Sequence, residues 1–411
     1  MSIYFNGRFG FPEAYALGKG VGLWPSNNVV AFDGDSRTIQ GLSSGSLFAR
    51  SYPHWLRLLS GQRISTTTAL NFGISGQRTD QILARVAATI AAMQSASAKT
   101  VFLLAGTNDI GVLTLGQSVA NIGALIDAYR AAGIIVILIA ETPRGGLSGD
   151  NLTHHQGIRD YCLSRHRPTA GVYAVNPWPA LAASTNRVSD QVHLSVTGCR
   201  VLAEQVLGTV QALFSAAAIL PPDNGEWSSG ALLAGQNVLS NALLSGGASV
   251  ATSWSVTNNA GGTTTVTPSK VTTSTGDWQQ VAISGTPSGT GELFARLEQS
   301  VDARASLFGV GDTLDAMIEV EVDAGVSGVR SLGVIIVTDN NPRDGEYDNG
   351  AATADYLLPS DGYSGVLRTL PRALTVTPTM MRLRLRAVGL AGVPMLIAFR
   401  ARKAKLTKLA A

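Results

Sequence analysis

Between residues 28 and 216 short apolar runs alternate with longer stretches of helical period, and this alternation restricts the fold more than any other feature of the chain. Val29–Phe32, Ala69–Ile74, Val101–Ala105, Ile134–Ala140 and Val172–Val175 read as strands. Ile134–Ala140 is apolar throughout, as a strand covered on both faces must be. Tyr52–Leu59, Gln81–Met93, Val119–Tyr129, Leu152–Arg165 and Thr197–Phe214 carry the helical period. In the second of these, Ile82, Leu83, Val86, Ile90 and Met93 share one face, with Thr79 or Asp80 as the expected cap. Strands separated by helices at this spacing imply a parallel sheet with helices on both faces, an α/β fold.

After Pro221-Pro222-Asp223-Asn224-Gly225 the pattern changes. Thr, Ser, Gly and Val dominate, and period-two runs at Thr263–Thr267, Gln279–Ile283, Ala316–Val322, Ser331–Thr338, Met381–Ala387 and Met395–Ala401 predict an all-β sandwich. The expected division is an aromatic, glycine-rich arm over 1–27, an α/β domain over 28–216, a linker over 217–234 and a β-domain over 235–411. A length of 411 residues agrees with two domains, and 45% hydrophobic against 14% charged residues is a globular composition. A net charge of +3 gives no ground for a nucleic-acid partner. Neither a membrane span nor a standard signal peptide is expected. Cys162 and Cys199 read as buried thiols, with one bridge between them left open.

Chemistry concentrates where the expected strands end. Ser36, in Phe32-Asp33-Gly34-Asp35-Ser36-Arg37-Thr38, directly follows the first strand, at the carboxyl edge where open α/β sheets bind ligands. Gly41-Leu42-Ser43-Ser44-Gly45 also fits the G-x-S-x-G spelling, but no apolar run leads into it, and that motif needs a strand before the serine. Serine requires a base. Of His54, His154, His155, His166 and His193, only His193 has a carboxylate three residues earlier, Asp190, placed to fix its tautomer. His154 and His155 point about 100° apart on a helix, which suits surface residues and not a metal pair. Gly76, in the loop after Ala69–Ile74, and Asn108, in Gly106-Thr107-Asn108-Asp109 after the third strand, could supply donors for charge developing on a substrate oxygen. Glu141 and Arg144 follow the fourth strand and could border the same cleft, as could Trp178.

Gly-Asp-Ser, the glycine loop, Gly-x-Asn-Asp and Asp-x-x-His appear in that order, and the set resembles the SGNH, or GDSL-type, hydrolases over about 28–216. The resemblance implies a flavodoxin-like three-layer sheet and a serine esterase. It makes Ser36 nucleophile and first oxyanion donor, Gly76 and Asn108 the other donors, His193 the base and Asp190 its orienting acid. Gly73, in the same block as Gly76, is the alternative second donor. Asp35 and Asp109 correspond to acids that hold loops. No metal or organic cofactor is implied. The β-rich half, from Asn237-Val238-Leu239-Ser240-Asn241 onward, resembles jelly-roll carbohydrate-binding modules, so an acylated, chiefly acetylated, glycan is the expected substrate, with Trp254 and Trp278 as sugar platforms or core residues. Such enzymes with appended β-sandwiches occur in bacteria and phage tails, which fits an extracellular or virion setting. A broad short-chain lipolytic esterase is the second enzyme reading. A tail-type assembly protein with a vestigial site, forming oligomers through the arm or the β-domain, is the reading from another class. Asp339–Asp348 is rich in oxygen ligands and reads as a solvated loop or a calcium site.

Overall fold

The computed structural model describes residues 27–43, 46–47, 49–216, 220–224, 235–289, 293–338, 344–345 and 357–409. The expected aromatic arm except Asn27, the linker except residues 220–224, and all of Asp339–Asp348 except Asp344 and Gly345 lie outside the described residues.

In chain order the first half comprises β1 (Val30–Gly34), α1 (Ser36–Ile39), the two-residue pair β2 (Leu42–Ser43) and β3 (Ser46–Leu47), α2 (Tyr52–Leu59), α3 (Thr79–Ser95), β4 (Thr100–Leu104), α4 (Leu115–Ala131), β5 (Ile135–Ile139), α5 (Gly149–Ser164), β6 (Val172–Val175) and α6 (Val196–Leu213). Strands β1, β4, β5 and β6 form one parallel sheet in that spatial order. Side chains alternate across it as period two requires. Val30, Phe32, Phe102, Leu104, Ile137 and Ile139 join the apolar cluster that includes α2 and α6. Ala31, Val101, Leu103, Val136 and Leu138 join the cluster with α3, α4 and α5. The sheet is therefore covered on both faces, and β1, β4 and β5 bury every residue.

Ala69–Ile74 is not a strand. Thr68–Leu70 is a turn of 3-10 helix, and the chain then runs along the edge of β1 with only Phe72 N–H to Phe32 O (2.7 Å) and Ile74 N–H to Gly34 O (3.2 Å). Asn71 makes one isolated parallel bridge to Phe32, and the pairing goes no further. Its side chain donates to Thr38 O and accepts from Gly73 N–H, which folds the segment toward α1 instead of extending it. Helix α3 starts one residue earlier than a Thr79 cap would place it and two earlier than an Asp80 cap would, with Arg78 in the cap position. Gln81 Oε1 accepts from Arg78 N–H, and Asp109 takes the Thr79 N–H at 2.8 Å.

The second half comprises β7 (Ser255–Asn258), β8 (Thr265–Thr273), β9 (Gly276–Gly285), β10 (Phe294–Ser300), β11 (Thr313–Val322), β12 (Val329–Thr338), β13 (Asp344–Gly345), β14 (Tyr363–Arg368), β15 (Arg372–Ala373), β16 (Met381–Gly389) and β17 (Met395–Lys408). These make two antiparallel sheets, ordered β13-β12-β16-β10-β7 and β14-β11-β17-β9-β8, with β15 beside β11. Each period-two run in the sequence lies in or overlaps one of these strands. Their apolar faces, Leu297, Leu383 and Val334 from one sheet and Ile283, Ile318 and Phe399 from the other, belong to one buried cluster.

That cluster continues into the α/β half. The outer side of α2 lies against β14, where Trp55 meets Tyr363 edge to face at 5.0 Å. Gln62 Nε2 donates to Val366 O at 2.6 Å, and Arg57 reaches the carbonyls of Arg368 and Thr369. Burying Arg57 and Gln62 costs free energy unless such acceptors meet them. The contact surface is thus specific as well as apolar.

Candidate active site

Ser36 opens α1 immediately after β1, so its hydroxyl stands at the carboxyl edge of the sheet. Asp35 caps the helix through Arg37 N–H at 2.9 Å. Within α1's first turn the N–H groups have no intrahelical acceptor. His193 Nε2 is 2.7 Å from Ser36 Oγ, although 157 residues separate them. His193 Nδ1 is 2.6 Å from Asp190 Oδ2.

The Asp190 turn builds this geometry locally. Asp190 Oδ1 accepts from the N–H groups of Val192 (2.8 Å) and His193 (2.9 Å), which leaves Oδ2 for the imidazole. Gln191 takes φ +60°, a left-handed conformation uncommon for a residue with a side chain, and its carbonyl accepts from Gly145 N–H. Partial burial pushes the Asp190 carboxyl upward, but the hydrogen bonds from the His193 ring and the two N–H groups outweigh it and leave the pKa lowered. Asp190 therefore stays ionised and holds Nδ1 as the protonated nitrogen, so that Nε2 can accept a proton from Ser36.

The two candidate glycines separate on sterics. A Cβ on Gly73 would lie 2.6 Å from Ile39 N and 3.0 Å from Asp35 O, so this glycine lets the loop press on the serine-bearing turn. Gly76 has φ +77° and open space around it. Asn108 lies in a short 3-10 turn after β4, and its Nδ2 donates to Gln77 O at 3.0 Å. An amide nitrogen carries two hydrogens, so this bond fixes the side chain and leaves a second donor. Asp109 is fully buried and ties the same turn to α3 through Thr79 N–H and the Thr79 hydroxyl.

Glu141 departs from the expected substrate contact. It has no exposed surface, and both its oxygens are engaged, Oε1 by Arg37 Nη2 (2.9 Å) and Oε2 by Arg37 Nη1 (2.7 Å) and His155 Nε2 (3.1 Å). Arg37 also grips Asp35 through Nε (3.1 Å) and Nη2 (2.7 Å). Burial, the largest single influence, would raise the Glu141 carboxyl, but the Arg37 guanidinium and the hydrogen bond with His155 together outweigh it and hold it well below the usual range. Glu141 thus supports the serine turn from beneath. His155, expected at the surface, is buried in the same network, while His154 pairs with Ser118 Oγ at 3.0 Å. Arg144, half-buried, donates to Thr107 O at 2.7 Å and joins the loop after β5 to the Asn108 turn. Trp178, also half-buried, packs between Arg159 and His155. Arg37 was the residue that sequence reading passed over. An arginine three residues after a buried strand and a glutamate just after an all-apolar one are the signal, since two buried charges at the same edge of one sheet require each other.

Cys162 and Cys199 are free and buried, with burial pushing both thiols upward. Among the described residues no cluster of three or more His, Cys, Asp or Glu side chains could hold a metal, and no helix is long and apolar enough to cross a membrane.

A four-stranded parallel sheet with helices on both faces, carrying a serine, a histidine and a carboxylate in hydrogen-bond sequence at its carboxyl edge, has the layout of an α/β serine hydrolase. Residues 32–201 match the model of the GDSL-like Lipase/Acylhydrolase family. No curated protein matches the chain. Among solved structures, it is similar to a carbohydrate esterase family 3 protein from Talaromyces cellulolyticus (16% identity, 46% of this chain and 99% of that one, TM-score 0.37). It is also similar to a GDSL-like lipase from Bacteroides thetaiotaomicron (20%, 45% and 88%, TM-score 0.33). A third is an acetyl-xylooligosaccharide esterase from Geobacillus Stearmophilus (18%, 46% and 97%, TM-score 0.36).

Proposed function

We propose that the chain hydrolyses carboxylic esters through Ser36, His193 and Asp190. The observation that carries this reading is the pair of contacts at His193, 2.7 Å to Ser36 Oγ and 2.6 Å to Asp190 Oδ2. Ser36 Oγ attacks the ester carbonyl while His193 Nε2 takes its proton. The oxyanion is held by the N–H groups of Ser36 and Gly76 and by Asn108 Nδ2. His193 then protonates the leaving alcohol, and water repeats the sequence on the acyl-enzyme. Ser36→Ala should lower turnover of a short p-nitrophenyl ester by about 10³-fold or more. Turnover near wild type in that variant would remove the reading.

Within this chemistry the substrate we propose is an acetylated glycan, with the β-rich half as a carbohydrate-binding module. The support is the sequence resemblance of residues 235–411 to such modules. The second reading, a short-chain lipolytic esterase whose β-rich half is structural, is favoured by one observation. Trp254 and Trp278 are buried, and their indole N–H groups are taken by Asn241 O and by the hydroxyls of Thr273 and Thr275, so neither ring is an open sugar platform. Acetate release from a panel of acetylated polysaccharides, set against p-nitrophenyl esters of increasing chain length, separates the two. Release from polysaccharide exceeding turnover of free short esters supports the glycan reading. Turnover of free esters alone supports the second.

A further inference from the structure

Arg85, on α3, joins the two pieces of chain that must stay in register for the proposed chemistry. Its Nη2 donates to Asp33 Oδ1 at 2.7 Å and to Gly34 O at 3.3 Å. Asp33 and Gly34 close β1, directly before Asp35 and Ser36. Arg85 Nε donates to Gln77 Oε1 at 2.7 Å, and Nη1 to Thr89 Oγ1 at 3.2 Å. Gln77 follows Gly76, and its carbonyl accepts from Asn108 Nδ2. One planar guanidinium therefore spans the strand that delivers the serine and the loop that carries Gly76 and orients Asn108. Asp33, fully buried, is fixed on its other side by the Tyr129 hydroxyl at 2.5 Å, so the anchor of the fork cannot swing. Arg85 lines a cavity of about 340 Å³ with Asn71–Ile74, Ala88 and Thr89, and neither Ser36 nor His193 borders it. The side chain acts through Gln77, away from the substrate.

We infer that Arg85 and Gln77 form a positioning clamp that sets the oxyanion donors of the Gly76–Gln77 loop and Asn108 against Ser36. The inference rests on the esterase reading above. Donors must be held within about 0.5 Å of the productive geometry, and a misplacement of about 1 Å can cost up to 10²-fold in rate. Loosening the clamp should therefore lower kcat and leave KM nearly unchanged, because an oxyanion exists only in the transition state.

The test is kinetic, on the full chain with a short p-nitrophenyl ester. Gln77→Leu removes the acceptor without touching Asp33 and should lower kcat about 10-fold with KM within about twofold. Arg85→Lys keeps a cation beside Asp33 but cannot fork to both partners, and should give a loss of the same order. Because both changes cut one link, the double variant should lose no more than the worse single one. Gln77→Glu restores an acceptor and should recover most of the rate. Unchanged kcat in Gln77→Leu, a loss confined to KM, or losses that multiply in the double variant would overturn the clamp. So would a kcat loss that merely tracks falling melting temperature. Ser36→Ala in the same assay keeps the two ideas apart. Turnover retained there defeats the esterase reading, whereas turnover lost there with Gln77→Leu at the wild-type rate defeats the clamp alone.

Discussion

Replacing Glu141 by glutamine asks whether this side chain supports the serine turn or contacts substrate. In the wild-type chain the Arg37 guanidinium is 1% exposed and lies between two carboxylates, Asp35 and Glu141. Glutamine removes one charge and turns an N–H₂ group toward a guanidinium that only donates, and it also disturbs the contact with His155 Nε2. Breaking a buried ion pair from one side costs about 3–5 kcal/mol. Asp35 still holds Arg37 with two bonds, so the lower end applies, about 3 kcal/mol. At about 2–4 °C per kcal/mol this is a fall of roughly 6–12 °C in melting temperature. Thermal and urea unfolding of Glu141→Gln, with ester turnover measured alongside, checks the figure. The double variant Arg37→Met/Glu141→Leu should not regain the loss, since it leaves the buried Asp35 carboxylate without its guanidinium. A melting temperature within about 1 °C of wild type together with a raised KM would refute the supporting role and return Glu141 to the cleft.

The Glu141 account also fixes a pH dependence. Its folded carboxyl titrates below its unfolded value, so the stability it adds is complete above the unfolded pKa and is lost as pH falls through the folded one. The melting difference between wild type and Glu141→Gln should be flat above about pH 5 and shrink toward acid; a difference that widens on acidification would contradict it. Asn108→Ala should lower kcat by roughly 10²–10³-fold and leave KM nearly unchanged; a loss seen only in KM would remove Asn108 from the oxyanion role. Ending the chain at residue 216 uncovers Trp55 and Leu58 on α2 and strands the donors of Arg57 and Gln62, so the product should aggregate or melt well below wild type. A soluble, cooperatively folding fragment would show that the contact with β14 is dispensable.

Period and strand ends made the α/β half readable. Ile134–Ala140 could only be a covered strand, and the elements around it followed. Ala69–Ile74 misled because its apolar run reads as a covered strand, whereas only Leu70 among those side chains is buried, Ile74 is 45% exposed, and the backbone makes a single isolated bridge to β1 at Asn71. Period does not report whether a backbone has a partner on both sides. The serine, histidine and aspartate were legible because the Asp-x-x-His spacing encodes a local turn, which Gln191 completes. Glu141 is hard to read from sequence for a different reason. Position after a strand puts a residue at the correct edge of the sheet but leaves its side chain free to point to the cleft or beneath it, and only Arg37 decides between them. The seating of β14 on α2 was not legible at all. It depends on carbonyls of residues 366–369 meeting side chains some 300 positions earlier, and no local pattern records such a contact.

The central claim is that Ser36 is a nucleophile activated by His193, and covalent labelling tests it without knowledge of the natural substrate. The intact mass of protein treated with a fluorophosphonate should rise by one adduct, mapped by peptide sequencing to Ser36 and absent from His193→Ala. Adduct on another serine, or an unlabelled Ser36 in protein that still cleaves esters, would contradict the account.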